Sequence, residues 1–106
     1  MERLSRAGIY LARLDPAKAA EVGILRPVMV LTAEEILAVD PALLFVCPLS
    51  SHSTPQFEAL HVALRARDGL KVASFALVEH CRAISRQRVL GDRIARASDQ
   101  ELALVL

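Results

Sequence analysis

The chain has 106 residues, 54% of them hydrophobic and only 4% aromatic, with a formal net charge of +1. That length accommodates one domain, residues 1–106, with a modest core of Leu, Val, Ala and Ile. The near-neutral charge excludes a strongly basic nucleic-acid-coating protein, and no apolar run approaches the ~20 residues of a membrane span. A chain so small and so apolar has difficulty covering its own surface, which predicts a partner, with a homodimer the commonest solution.

Residues 1–6 read as a loose arm without the features of a signal peptide, which predicts a cytoplasmic protein. Ile9 to Leu14 reads as the first strand, turned by Asp15-Pro16. The loop that follows is rich in small residues (Ala17, Ala19, Ala20) and carries one cation, Lys18, and one anion, Glu21. It closes with Arg26-Pro27 running into the apolar strand Val28 to Leu31, continuous enough to be buried on both faces. Pro27 fixes its own φ and drives Arg26 toward an extended backbone, so the arginine sits on a rigid mount at the mouth of a strand.

Thr32 and Glu35 have the spacing of a capping box before a helix over Ala33 to Val39, which Asp40-Pro41 stops. Glu34 and Glu35 fall in its first turn, where the dipole favours anions. Leu43 to Cys47 is the next buried strand, with Pro48 ending it and Ser50 to Pro55 forming a polar loop. Phe57 to Leu64 reads as an alternating strand with His61 on its wet face, and Leu70 to Val78 as a long apolar strand that Ala83-Ile84 extends beyond a kink. Gly91 breaks the chain, and Ser98 with Glu101 predicts a capped terminal helix, Asp99 to Leu106. Five or six short strands and two short helices, without long β–helix–β alternation, predict a mainly β fold: a small, twisted antiparallel barrel with short edge helices.

Cys47 and Cys81 lie in apolar runs and read as small buried hydrophobes in a reducing compartment, not as a disulfide framework. His52, His61 and His80 show no ligand spacing with them, so neither a metal nor a cofactor is expected. Arg82, Arg86, Arg88, Arg93 and Arg96 fall within fifteen positions, opposed only by Asp92. Two readings of that strip stand side by side, a solvated face and a seat for phosphate or an acidic partner.

The chemistry-bearing pair is Arg26 with Ser50, each at the end of an apolar strand. Arginine offers a planar, permanently charged fork suited to phosphate, and a serine hydroxyl can hydrogen-bond a phosphate oxygen. Such a pair suits stabilisation of the phosphorane formed when a ribose 2′-hydroxyl attacks its own phosphate, a reaction that needs positioning and charge more than an activated nucleophile. His52 beside Ser51 is a candidate acid or base, and equally an exposed loop histidine. Phe57, the aromatic nearest the Ser50 loop, reads as core more than as a stacking platform.

Tyr10 through Leu31, YLARLDPAKAAEVGILRPVMVL, resembles the N-terminal signature of the MazF/PemK toxins: a strand ending in a D-P turn, then a loop glutamate ahead of R-P-hydrophobic. Val46-Cys47-Pro48-Leu49-Ser50-Ser51 resembles the second signature of that family, and Ala76 to Ile84 its late strand. The resemblance implies an SH3-like barrel of the MazF/CcdB type that forms a homodimer and cleaves single-stranded RNA at short sequences, without metal, leaving a 2′,3′-cyclic phosphate and a 5′-hydroxyl. It implies catalytic roles for Arg26 and Ser50, a supporting role at the RNA site for Glu21, and a cognate antitoxin whose acidic tail lies across that site; Lys18, Ser51 and His52 are further candidate substrate contacts from their positions, Lys18 reading equally as a solvated loop lysine. The chain departs from the pattern at Ala7-Gly8, where the family commonly has Gly-Asp, and at Ala19-Ala20, where it favours a glycine. The alternative reading is a non-catalytic toxin or binding module on the same barrel, docking a protein target through the C-terminal helix. The tail from Glu101 to Leu106 offers no aromatic anchor for that role.

Overall fold

The computed structural model describes residues 4–14, 25–52 and 59–106. Seven strands form one antiparallel, barrel-like sheet: β1 (Gly8–Arg13), β2 (Leu25–Val30), β3 (Leu43–Ser50), β4 (Val62–Leu64), β5 (Ser74–Ala76), β6 (Arg82–Ser85) and β7 (Val89–Arg96). Their order is β4-β5-β3-β2-β1-β7, with β6 paired to the N-terminal half of β3. Two short helices accompany the sheet, α1 (Glu34–Leu37) and α2 (Asp99–Val105).

The C-terminal half of β2 and residues 46–49 of β3 are buried on both faces, whereas Leu43 and Phe45 leave one face of the N-terminal half of β3 exposed. Ile9, Met29, Leu31, Cys47 and Leu49 face one cluster, shared with Leu64, Leu70, Ala76 and Val105 of α2. Tyr10, Ala12, Val28, Val30, Leu44 and Val46 face a second, closed by Leu37 of α1, Ile84 and Val89. Each buried Val, Leu or Ile contributes about 1.5–3 kcal/mol, so these two layers fix the register of β1, β2 and β3.

Four local readings are corrected. Thr32 does not cap α1: its Oγ1 accepts a hydrogen bond from the Phe45 N–H at 2.8 Å, and Ala33 is the N-cap, without a side-chain cap bond. Pro48 does not end β3, which runs on to Ser50. The predicted strand over Leu70 to Val78 shrinks to β5, followed by a 3-10 turn, Val78–His80. Gly91 does not break the chain; with φ +72 it lies within β7, where the pairing to β1 shifts register between Ile9 and Leu11. The capping box of Ser98 and Glu101, by contrast, forms as read: the Ser98 Oγ accepts from the Glu101 N–H at 3.1 Å and the Glu101 Oε1 from the Ser98 N–H at 2.8 Å. No helix of the described residues is long and apolar enough to cross a membrane.

Candidate functional site

Arg26 and Ser50 are brought together by the β2–β3 register. Val28 faces Pro48, Met29 faces Cys47 and Val30 faces Val46; carried two steps further, the same register sets Arg26 opposite Ser50. The ladder stops short of them for a definite reason. The Leu31 N–H donates to the Phe45 carbonyl at 2.8 Å, so hydrogen-bonded pairs recur at 29/47 and would next fall at 27/49. Residue 27 is proline and has no N–H to give to Leu49. The two strand ends therefore part at this point, and a cleft opens between them.

The cleft measures about 440 Å³. Its walls are Leu11, Leu25, Arg26 and Pro27 on one side, Leu49, Ser50 and Ser51 on the second, and the segment from Gly69 to Ser74 on the third, backed by Ile94. The third wall presses close to β7. The Gly69 N–H donates to the Ile94 carbonyl at 2.7 Å, and a Cβ at position 69 would stand 2.7 Å from both the Ile94 Cβ and that carbonyl oxygen, so only glycine fits. Arg67 anchors the same turn by donating to both Glu101 carboxylate oxygens, at 2.6 and 2.8 Å, and to the Arg96 carbonyl at 3.2 Å.

Among the described residues, the charged side chains lining the cleft are Arg26 and Lys71, and no described carboxylate lines it. Lys71 is an exposed residue that sequence reading did not single out; the only local signal is its place beside Gly69-Leu70, and it reaches the site through the turn that Arg67 and Gly69 hold. The Ser50 Oγ accepts the His52 N–H at 3.1 Å, which keeps the hydroxyl hydrogen available to an incoming acceptor. Ser51 lines the cleft, and its Oγ lies 3.1 Å from the Nδ1 of His52, an exposed residue that is itself outside the lining. The expectations for Lys18, Glu21 and Phe57 fall outside the described residues.

His61 is corrected: its side chain is only 3% exposed and its Nε2 sits 2.8 and 3.0 Å from the Glu79 carboxylate oxygens. Burial pushes the Glu79 carboxyl up, but hydrogen bonding from His61, aided by its own backbone and by the His61 and His80 charges, outweighs it and holds the group below its usual range. Neither residue of that pair lines the cleft. Among the described residues no cluster of three or more His, Cys, Asp or Glu side chains is placed to hold a metal ion. The arginine strip divides: Arg82 lies on β6, Arg86 and Arg88 in the turn after it, and Arg93 and Arg96 on β7. Two of its guanidinium groups tie the fold together, Arg88 Nη1 donating to the Arg13 carbonyl at 3.1 Å and Arg93 Nη1 to the Ser5 Oγ at 3.3 Å.

The cleft combines largely apolar walls with two cations, Arg26 and Lys71, and the hydroxyls of Ser50 and Ser51. The family model of PemK-like, MazF-like toxins of type II toxin–antitoxin systems matches residues 5–106. The fold is similar to MazF from Deinococcus radiodurans, with a TM-score of 0.79 at 25% identity over 99% of this chain and 91% of that one. It is also similar to the MazE–MazF structure of the same organism, with a TM-score of 0.73 at 25% identity over 99% and 90% of the two chains. The Mycobacterium tuberculosis toxin MazF-mt6 shares the fold at 21% identity, with a TM-score of 0.72 over 92% and 87%. No curated protein matches the chain.

Proposed function

Since this chain belongs to the PemK-like, MazF-like toxin family of type II toxin–antitoxin systems, we propose that it is an endoribonuclease that cuts single-stranded RNA at short sequences by metal-independent transesterification. The observation that carries this reading is the convergence of Arg26 and Ser50 on one cleft whose described charged lining is cationic.

The RNA supplies its own nucleophile. The 2′-oxygen forms a bond to phosphorus while the bond from phosphorus to the 5′-oxygen breaks, leaving a 2′,3′-cyclic phosphate and a 5′-hydroxyl. One proton leaves the 2′-hydroxyl and one reaches the departing 5′-oxygen. Between these events the phosphorane carries extra negative charge on its non-bridging oxygens. The Arg26 guanidinium takes two of its hydrogen bonds to that charge, and the Ser50 hydroxyl donates a further one while its oxygen is held by the His52 N–H. Both groups stand on strand ends, so little reorganisation accompanies the reaction. Lys71 on the facing wall neutralises a neighbouring phosphate, and Ser51 and His52 at the rim contact the adjoining nucleotide, with Lys18 and Glu21 of the preceding loop as further substrate contacts.

The same cationic cleft suits the acidic tail of a cognate antitoxin, and relatives of this chain have been solved as MazE–MazF complexes. A homodimer accounts for the exposed face of β3, where Leu43 and Phe45 stay 62% and 48% exposed while their neighbours Leu44 and Val46 are buried.

The test is chemical. Purified protein is incubated with a long single-stranded RNA in excess chelator, and the fragment ends are analysed. Cyclic phosphate and 5′-hydroxyl ends are expected, and a 2′-deoxy substitution at the cut position should block cutting there. Fragments with 3′-hydroxyl ends, or cutting that survives the 2′-deoxy substitution, would refute transesterification.

A further inference from the structure

Two cysteines that the proposed reaction does not use lie opposite each other in the sheet. In the β3–β6 ladder Leu43 pairs with Ser85, Leu44 with Ile84, Phe45 with Ala83 and Val46 with Arg82; one step further, the same register sets Cys47 across from Cys81. The pair also has the closer of the two antiparallel spacings. The Arg86 N–H donates to the Ala42 carbonyl at 2.8 Å, which makes 42/86, 44/84 and 46/82 the hydrogen-bonded pairs and 47/81 a non-hydrogen-bonded one. The β2 side agrees: the bond from the Leu31 N–H to the Phe45 carbonyl turns the backbone of Cys47 toward Met29 and away from Cys81. In non-hydrogen-bonded pairs the Cα atoms stand about 4.5 Å apart with their side chains close, inside the roughly 4.4–6.8 Å that a disulfide spans.

Packing supports the same pairing. Both residues belong to one apolar cluster, Cys47 fully buried and Cys81 packed against it and partly exposed. The Cys47 thiol donates to the Pro48 carbonyl at 3.7 Å, and the neighbouring Cys81 thiol together with burial pushes Cys47 up, while the neighbouring Cys47 thiol pulls Cys81 down against the opposing effects of burial and of Glu79. Cys81, the partly exposed sulfur, is the one a solvent-borne oxidant reaches first, and the buried Cys47 waits behind it.

We propose that Cys47 and Cys81 form a built oxidation site that takes a hydroperoxide and closes into an intramolecular disulfide joining β3 to the start of β6. In the first step the Cys81 thiolate attacks one peroxide oxygen; the O–O bond breaks, Cys81 becomes a sulfenic acid, and hydroxide leaves and is protonated. In the second step the Cys47 sulfur attacks the Cys81 sulfur, the S–O bond breaks, and the Cys47 proton leaves with the hydroxyl as water. Two thiols and one peroxide give one disulfide and two waters, and a dithiol reductant reverses the change. The closed bond would hold the strand that carries Ser50 at a point three residues before it. This inference rests on the β3–β6 pairing alone and stands whether or not the chain cuts RNA.

The experiment uses the fully reduced, full-length chain treated with hydrogen peroxide, then denatured and alkylated. The expected result is loss of both alkylatable thiols, an intact mass lower by two hydrogens, a monomeric band on a non-reducing denaturing gel, and recovery of both thiols with dithiothreitol. In Cys47→Ala the sulfenic acid at Cys81 should persist and be trapped by dimedone. Retention of both thiols at peroxide levels that oxidise free cysteine would overturn the proposal. So would stepwise addition of oxygen to Cys81 with Cys47 still free, or cross-linking between chains. The first measurement needs no variant, so it decides the matter even if Cys47→Ala fails to fold.

Discussion

Replacing Glu101 by alanine removes two devices at once. Its carboxylate accepts both Arg67 N–H groups at 2.6 and 2.8 Å and also closes the capping box through the Ser98 N–H at 2.8 Å. The side chains of the Arg67–Glu101 pair are 23% and 18% exposed, so solvent screens the pair only in part. A bidentate, partly buried arginine–carboxylate pair contributes about 1–2 kcal/mol, and loss of the box adds about 1 kcal/mol. The sum, about 2–3 kcal/mol, corresponds to a fall in Tm of about 10–20 °C for a domain of this size. A double-mutant cycle with Arg67→Ala, read by urea unfolding, isolates the pair and should give a coupling of about 1–2 kcal/mol. The coupling has a predictable pH dependence. The hydrogen bond from Arg67, with help from the Ser98 backbone, holds the Glu101 carboxyl below its usual range despite the opposing effect of burial. A depressed carboxyl contributes its full stabilisation above the unfolded-state pKa and loses it as pH falls through the lower folded value. The coupling should therefore be intact at neutral pH and vanish in acid below the ordinary carboxylate range. A coupling indistinguishable from zero at neutral pH, or one that grows in acid, would refute the reasoning.

Three further outcomes follow from the walls of the cleft. Gly69→Ala, whose new Cβ meets Ile94 at 2.7 Å, should destabilise the fold by about 1–3 kcal/mol and lower RNA affinity, read by denaturation and by filter binding. Pro27→Ala restores a donor that Leu49 can accept; hydrogen exchange should show a protected amide at residue 27, and RNA cutting should fall roughly tenfold or more as the strand ends close. Lys71→Ala should weaken RNA binding and flatten the slope of log affinity against log salt by about 0.7, the contribution of one phosphate contact to a single strand.

Much of the fold is legible from local chemistry, and the failures have identifiable competitors. β2 and β3 announce themselves because their apolar runs carry no polar alternation: both faces of Val28 to Val30 and of Val46 to Leu49 are buried, and the exposed face of β3 is itself apolar, at Leu43 and Phe45. Ser98 and Glu101 form their box even though the Glu101 carboxylate also accepts from Arg67. Thr32 and Glu35 have the same spacing and form none, because the N–H of Phe45 claims the threonine oxygen. Pro48 is tolerated inside β3 because its backbone is turned away from β2, and its carbonyl still accepts the Leu77 N–H at 2.9 Å. β7 escapes a periodicity reading: from Leu90 to Arg93 its residues are all exposed, and pairing with β1 holds it in place of burial. At the site, Arg26 and Ser50 are legible because each borders an apolar run at a proline, Arg26 just before Pro27 and Ser50 two residues after Pro48. Lys71 and the His61–Glu79 pair are not, because each depends on a contact made far along the chain.

The most direct measurement of the central idea is single-turnover cleavage of a single-stranded RNA by Arg26→Ala and by Ser50→Ala, with folding checked by circular dichroism and RNA affinity measured alongside. Each variant should stay folded and lose roughly 10²–10³ in rate, the usual loss for one preorganised donor to a developing oxyanion, with a smaller change in affinity for Ser50→Ala than for Arg26→Ala. Cutting at an undiminished rate by a folded Arg26→Ala protein would contradict the account, since no other arrangement described for this cleft places a guanidinium on the reacting phosphate.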